Sequence, residues 1–182
     1  MIAYDRSTVH QSKSQDSSLR SSERSIFISY RRSDSRHVTR KIYDLLAAYF
    51  GHERVFRDLD SIPPGETFKE YIEHELHQCQ ILIAVIGSTW LESTDRNGHR
   101  RLDNPNDWVR LEIEFALNRG IRVIPLLIND AKMPQADELP GLLKDLHTRN
   151  AVRMRHAFGL NRRDIGRLIG NCEILLSDTY EK

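Results

Sequence analysis

Glu112 is the side chain of this sequence best placed to do chemistry. It closes the segment Asp107, Trp108, Val109, Arg110, Leu111, Glu112, four residues after an indole, so on a helix the carboxylate and the ring share a face. Trp108, Leu111, Phe115 and Ala116 fall at helical spacing as an apolar stripe, and Glu112 lies within or beside it. A carboxylate there is costly unless it is paired or put to use. Two readings follow: an edge carboxylate reaching past Trp108 to water, or a group held for a reaction. Glu114 points elsewhere, one turn after Arg110, where the two can form a solvated pair worth a few tenths of a kcal/mol.

The elements that must position Glu112 follow from apolar runs and helix signals. Asn104 and Pro105, or Asn106 and Asp107, can start its helix, and Asn118, Arg119 and Gly120 can stop it. Strands are expected at 26–30, 55–58, 81–87, 121–128 and 151–154, and helices at 36–50, 66–79, through Glu112, at 139–147 and from about 161. Five strands alternating with five helices imply a parallel sheet covered on both faces. Pro125 inside the fourth strand conflicts with this unless it lies near the edge or beside a short neighbour. Such sheets bind ligands beyond the carboxyl ends of their strands, where strand order reverses. With order 2-1-3-4-5, that place brings together Tyr30, Arg31, Arg32 and Ser33, then Ser88, Thr89 and Trp90, then residues 58–65. Two arginines, a tyrosine and hydroxyls suit an anionic, aromatic ligand such as a nucleotide.

Composition narrows the classes. The 182 residues carry a formal net charge of +1 with both signs interspersed, which gives no whole-molecule field for nucleic acid or an anionic membrane. Residues 1–24 are rich in serine and charge and read as a disordered leader without the apolar core of a secretory signal. No run approaches a membrane span, so a cytoplasmic protein is expected. Cys79 and Cys172 sit in apolar helix patterns and read as buried thiols. His74, Glu75, His77 and Cys79 lack the spacing of a zinc helix, and no metal is expected. The arginines at 149, 153, 155, 162, 163 and 167 read as a solvated face. Residues 88–106 are long enough for a lid, with Asn97 and Gly98 as a turn, and equally suit an ornamental hairpin. A phosphoacceptor receiver needs acidic residues after the first strand, where Tyr30, Arg31 and Arg32 stand. No glycine-rich phosphate loop is present for a nucleotidase or a dehydrogenase.

Four segments then carry a resemblance: Phe27, Ile28, Ser29, Tyr30, Arg31, Arg32; Val55, Phe56, Arg57, Asp58 with Asp60, Ser61, Ile62, Pro63, Pro64, Gly65; Trp108, Val109, Arg110, Leu111, Glu112, Ile113; and Val123, Ile124, Pro125. In this order and spacing the chain resembles a Toll/interleukin-1 receptor (TIR) domain, most closely its bacterial branch, over residues 25 to about 170. The resemblance implies a flavodoxin-like three-layer sandwich, a domain at 25–176 and a short tail at 177–182. It also implies one of two roles. Many TIR domains cleave NAD+ between nicotinamide and ribose with a glutamate placed as Glu112 is; others are non-catalytic modules that act by homotypic assembly. A glutamate in this frame, with Trp108 before it and Tyr30, Arg31 and Arg32 opposite, favours the enzyme.

In that reading NAD+ is the substrate and no resident cofactor is needed. Glu112 is catalytic, Tyr30, Arg31, Arg32 and Ser88 line the pocket, and Asp58 orders the BB loop that contains Pro63, Pro64 and Gly65. Trp108 packs against nicotinamide or against the loop after the first strand. The plainer alternatives are that Asp58 caps a turn and Trp108 fills the core. The expected partners are other TIR domains and a separate sensor protein, and the expected setting is antiphage defence through NAD+ depletion or a nucleotide signal.

Overall fold

The computed structural model describes residues 25–57, 65, 67–154 and 161–177. Asp58 and the rest of 58–64, the leader at 1–24 and the end of the tail lie outside them. Five strands, β1 (Ile26–Tyr30), β2 (Val55–Arg57), β3 (Ile81–Ile86), β4 (Arg122–Leu127) and β5 (Val152–Arg153), pair in parallel in the order β2-β1-β3-β4-β5. This is the expected order, in a flavodoxin-like α/β fold. The central strand β3 is apolar and buried at every residue, as a strand covered on both faces must be. Pro125 is tolerated because β5 pairs with β4 only at Leu126 and Leu127.

Helices α1 (Arg32–Phe50) and α4 (Arg162–Ser177) cover one face, with Ile42, Leu46, Leu168 and Cys172 packed on Ile26, Ile28 and Tyr30. Helices α2 (Phe68–His77) and α3 (Trp108–Asn118) cover the other, with Leu76, Val109, Ile113 and Ala116 packed around Phe27, Leu82 and Ala84. Thr67 and Glu70 close a reciprocal capping box at the start of α2.

One local expectation is corrected and two are made more specific. Helix α1 begins at Arg32 rather than at 36, because Asp34 is engaged by a distant loop and is not a cap for a later start. The short helix expected near 139–147 is a 3-10 helix, Gly141–Thr148. The segment 88–106 is a packed loop: Trp90 and Leu102 are fully buried in the core, and a Thr94–Arg100 antiparallel bridge closes a small hairpin tip around the left-handed Gly98. No helix among the described residues is long and apolar enough to cross a membrane. The described residues hold no group of three or more His, Cys, Asp or Glu arranged to bind a metal ion.

Candidate active site

Strand β1 reads differently on its two sides. Ile26, Ile28 and Tyr30 face α1 and α4 and belong to that apolar cluster. Phe27, Ser29 and Arg31 alternate with them, since successive strand residues point to opposite faces and Arg31 continues the extended backbone. Towards the carboxyl end, the α3 side of β1 therefore passes from an aromatic ring to a hydroxyl to a guanidinium. Each polar residue meets a carboxylate of α3. The Ser29 hydroxyl donates to Oε2 of Glu112 at 2.6 Å. Arg31 donates through Nη1 and Nη2 to the two oxygens of Asp107, both at 3.0 Å.

Helix α3 is built to present this pair. Asp107 is its N-cap and accepts the Arg110 backbone N–H at 3.1 Å. The Nε of Arg101 adds a bond to Asp107 Oδ2 at 3.2 Å, so the carboxylate is fully engaged although almost entirely buried. One turn on, Glu112 is 7% exposed and stands among Val109, Ile113 and Ala116 on the buried side of the helix. The expected stripe is thus corrected: Leu111 and Phe115 are half-buried and Trp108 is 37% exposed, so Trp108 does not fill the core. Asp107, held by Arg31, sets the rotation that turns Val109 and Glu112 inwards instead. The Arg110–Glu114 pair is also less solvated than expected. It is mostly buried at 3.0 Å, and Arg110 fastens α3 to the carbonyls of Leu102 and Asp103.

The other expected site residues are distributed as follows. Arg31 is spent on Asp107 and is 2% exposed, a structural clamp beside Glu112. Tyr30 lies on the opposite sheet face, 7% exposed, its hydroxyl accepting from Nη1 of Arg57 at 3.3 Å. Arg32 opens α1 and is exposed. Ser88 is exposed in the loop after β3 and lines a cleft of about 450 Å³ between the ends of β3 and β4, with Leu91, Glu92, Lys132, Met133 and Glu138. Neither Glu112 nor Trp108 lines that cleft. The loop itself is held by Asp34, whose carboxylate accepts the backbone N–H groups of Gly87 and Thr89 at 2.8 and 2.9 Å and the Thr89 hydroxyl at 2.8 Å.

Three residues of this architecture were not singled out by sequence reasoning as site residues: Ser29, Asp107 and Asp34. The signal for Ser29 and Arg31 was available in the alternation of β1, where polar types replace apolar ones on one side only. Asp107 carried its cap signal, but nothing local announced its long-range partner. Both thiols are remote from this chemistry: burial pushes Cys79 and Cys172 up to about 12, and both are unbridged.

Comparison with known proteins agrees with this layout. A model of the TIR domain family matches residues 26–168. The NAD(+) hydrolase sarm1 of Drosophila melanogaster is 25% identical over 137 residues, which is 73% of this chain and 9% of that protein, so the chain spans less than a tenth of that relative. The TIR domains in the structure of the activated Roq1 resistosome directly recognizing the pathogen effector XopQ superpose with a TM-score of 0.57 at 11% identity, covering 81% of this chain and 98% of that one. At that identity the likeness is one of fold.

Proposed function

The chain belongs to the TIR domain family, and from that premise we propose that it is an NAD+ glycohydrolase in which Glu112 is the catalytic residue. The observation that carries the proposal is the Glu112 carboxylate itself, buried on α3 beside the carboxyl end of β1 and hydrogen-bonded by Ser29. A fold of this type binds ligands at the β1/β3 reversal, and an ionisable group kept there at a desolvation cost is the mark of a working site. The distant likeness to an NAD(+) hydrolase supports the same reading.

One carboxylate is enough for this reaction. Ordinary glycosides need an acid for their poor leaving groups as well as a base or nucleophile. Nicotinamide departs from a pyridinium that is already cationic, taking the electron pair of the breaking C–N bond, so no proton has to be supplied. Positive charge then develops on the ribose. A carboxylate about 4 Å away stabilises that charge by about 4 kcal/mol at an effective dielectric of about 20, close to a thousandfold in rate. Water attacking the ribose carbon and losing a proton yields ADP-ribose, while attack by a ring nitrogen of the substrate's own adenine yields a cyclic isomer.

The test is release of nicotinamide from NAD+ by concentrated purified protein, followed by chromatography beside Glu112→Gln and Glu112→Ala. Release by wild type alone supports the proposal, and the accompanying ribosyl product separates hydrolysis from cyclisation. Full activity in either variant rejects Glu112 as the catalytic residue. No release by any of the three, with crowding agents added to force assembly, favours a non-catalytic interaction module. Self-association belongs to the same proposal: head-to-tail contact between copies makes specific activity rise with protein concentration, and strictly first-order dependence on enzyme contradicts it.

A further inference from the structure

We propose that Ser29 is a positioning residue for Glu112, one that fixes the carboxylate before the dinucleotide binds; the inference rests on the glycohydrolase reading above. Ser29 is 1% exposed and sits in a strand whose other residues are Ile26, Phe27, Ile28 and Tyr30. A hydroxyl in that position forfeits apolar burial and needs a partner. Its partner is Oε2 of Glu112 at 2.6 Å, within the range of a hydrogen bond to an ionised acceptor. Its register neighbour on β3 is Ala84, equally buried on the α3 side. Two small residues side by side leave the volume under α3 that the Glu112 side chain occupies.

The helix is registered independently. Arg31, two residues further along the same side of β1, grips Asp107, and this sets where the Glu112 backbone lies. A glutamate still has three rotatable bonds, and a carboxylate free to sample them spends only part of its time opposite the ribose. Ser29 narrows that freedom by holding Oε2. Arg31–Asp107 places the helix and Ser29 places the carboxylate.

The experiment compares Ser29→Ala, Ser29→Thr and Ser29→Cys with wild type in nicotinamide release at saturating and limiting NAD+, with thermal melts of each. The alanine variant is expected to lose about thirtyfold in kcat, about 2 kcal/mol at 1.36 kcal/mol per factor of ten, with KM within about threefold and a melting temperature within about 5 °C of wild type. Threonine keeps the hydroxyl and returns kcat to within about threefold of wild type. Cysteine keeps the size but donates weakly, and stays at least about tenfold down, which preserves the test if the alanine variant does not fold. A role in stability alone predicts a lowered melting temperature with kcat per folded molecule unchanged, and that result overturns the proposal. So does an equal loss of kcat in the alanine and threonine variants. An active wild type with a fully active alanine variant rejects the role of Ser29 and leaves Glu112 standing; a wild type that releases no nicotinamide rejects both.

Discussion

The two faces of the sheet are held together by different physics. On the α1/α4 side, Ile26, Ile28 and Tyr30 of β1 cluster with Ile42, Leu46, Leu168 and Cys172, and the contact is predominantly apolar, the Tyr30 hydroxyl accepting sideways from Arg57 of β2. On the α3 side, the same strand runs from Phe27 to Ser29 to Arg31, and its last two residues meet Glu112 and Asp107. Apolar burial is non-directional and forgiving of small shifts. A bidentate guanidinium–carboxylate pair and a short hydroxyl–carboxylate bond tolerate little displacement. Directional contacts are thus concentrated around the Glu112 carboxylate. An arginine and an aspartate of a few per cent exposure are poor value for stability compared with a well-packed apolar pair of the same volume. Their worth lies in fixing the phase of α3.

Breaking the polar face has the largest consequence. Asp107→Ala leaves the Arg31 guanidinium buried without its carboxylate and removes the N-cap, and the expected loss is about 3–5 kcal/mol in denaturant unfolding. Glu114→Ala, on the same helix but only partly enclosed, loses a bond to Arg110 that leaves Arg110 still holding the carbonyls of Leu102 and Asp103, and is expected to cost about 1 kcal/mol. If the two variants lose equally, the contrast between fully and partly enclosed charge on α3 is wrong. A second strong effect lies at the loop after β3. A Cβ on Gly87 would sit 2.3 to 2.7 Å from the Asp34 carboxylate, so Gly87→Ala must displace Asp34, leaving the buried N–H of residue 87 without its acceptor and the exposed N–H of Thr89 to water. The expected cost is about 1–3 kcal/mol, and Asp34→Ala in the Gly87→Ala background should add little more, a non-additivity that a double-mutant cycle reads directly.

How far the sequence could foretell this depends on whether the deciding interaction was local. The strand Ile81–Ile86 and the order of the sheet follow from apolar runs and connection rules, and both are as expected. Helix α3 was legible in extent, with Asp107 as cap and Gly120 past its end, but not in rotation. Its apolar residues satisfy two overlapping helical stripes, one through Trp108, Leu111 and Phe115 and one through Val109, Ile113 and Ala116. The choice between them is made by Arg31, seventy-six positions away along the chain. The start of α1, four residues before the expected one, depends likewise on a distant contact, since Asp34 in its first turn serves Gly87 and Thr89. Glu112 was legible as a residue out of place, and Ser29 as a polar type breaking the apolar run of β1; what nothing local announced was that the two are partners.

The apolar face supplies a milder test of the same comparison. Ile28 and Ser29 are adjacent on β1 and point to opposite sides. Ile28→Val should cost about 0.5–1.5 kcal/mol in stability and leave kcat within about twofold, the reverse of the pattern expected at Ser29. A fall in kcat at Ile28 matching that at Ser29 would show that both faces of the strand are coupled to the site and that directionality is not the distinction.

The smallest effect separates buried ion pairs from exposed ones by their response to acid. Arg100 donates to both oxygens of Asp103 at 3.0 and 2.5 Å, and this bond holds the Asp103 carboxyl below the usual carboxylate range. A group whose pKa is lower folded than unfolded adds stability that is present above its unfolded value and is lost as pH falls through its folded value. Asp103 is exposed, so the gain is small and is screened by salt. The difference in melting temperature between wild type and Asp103→Asn should therefore be slight at neutral pH, shrink towards zero as the solution is acidified below the usual carboxylate range, and shrink likewise when salt is raised at neutral pH. Salt should leave the deficit of Asp107→Ala almost untouched, because no counterion reaches a pair that is enclosed between β1 and α3. Equal salt sensitivity in the two variants would mean that water and ions enter the β1–α3 seam and that the Arg31–Asp107 pair behaves as a surface pair does.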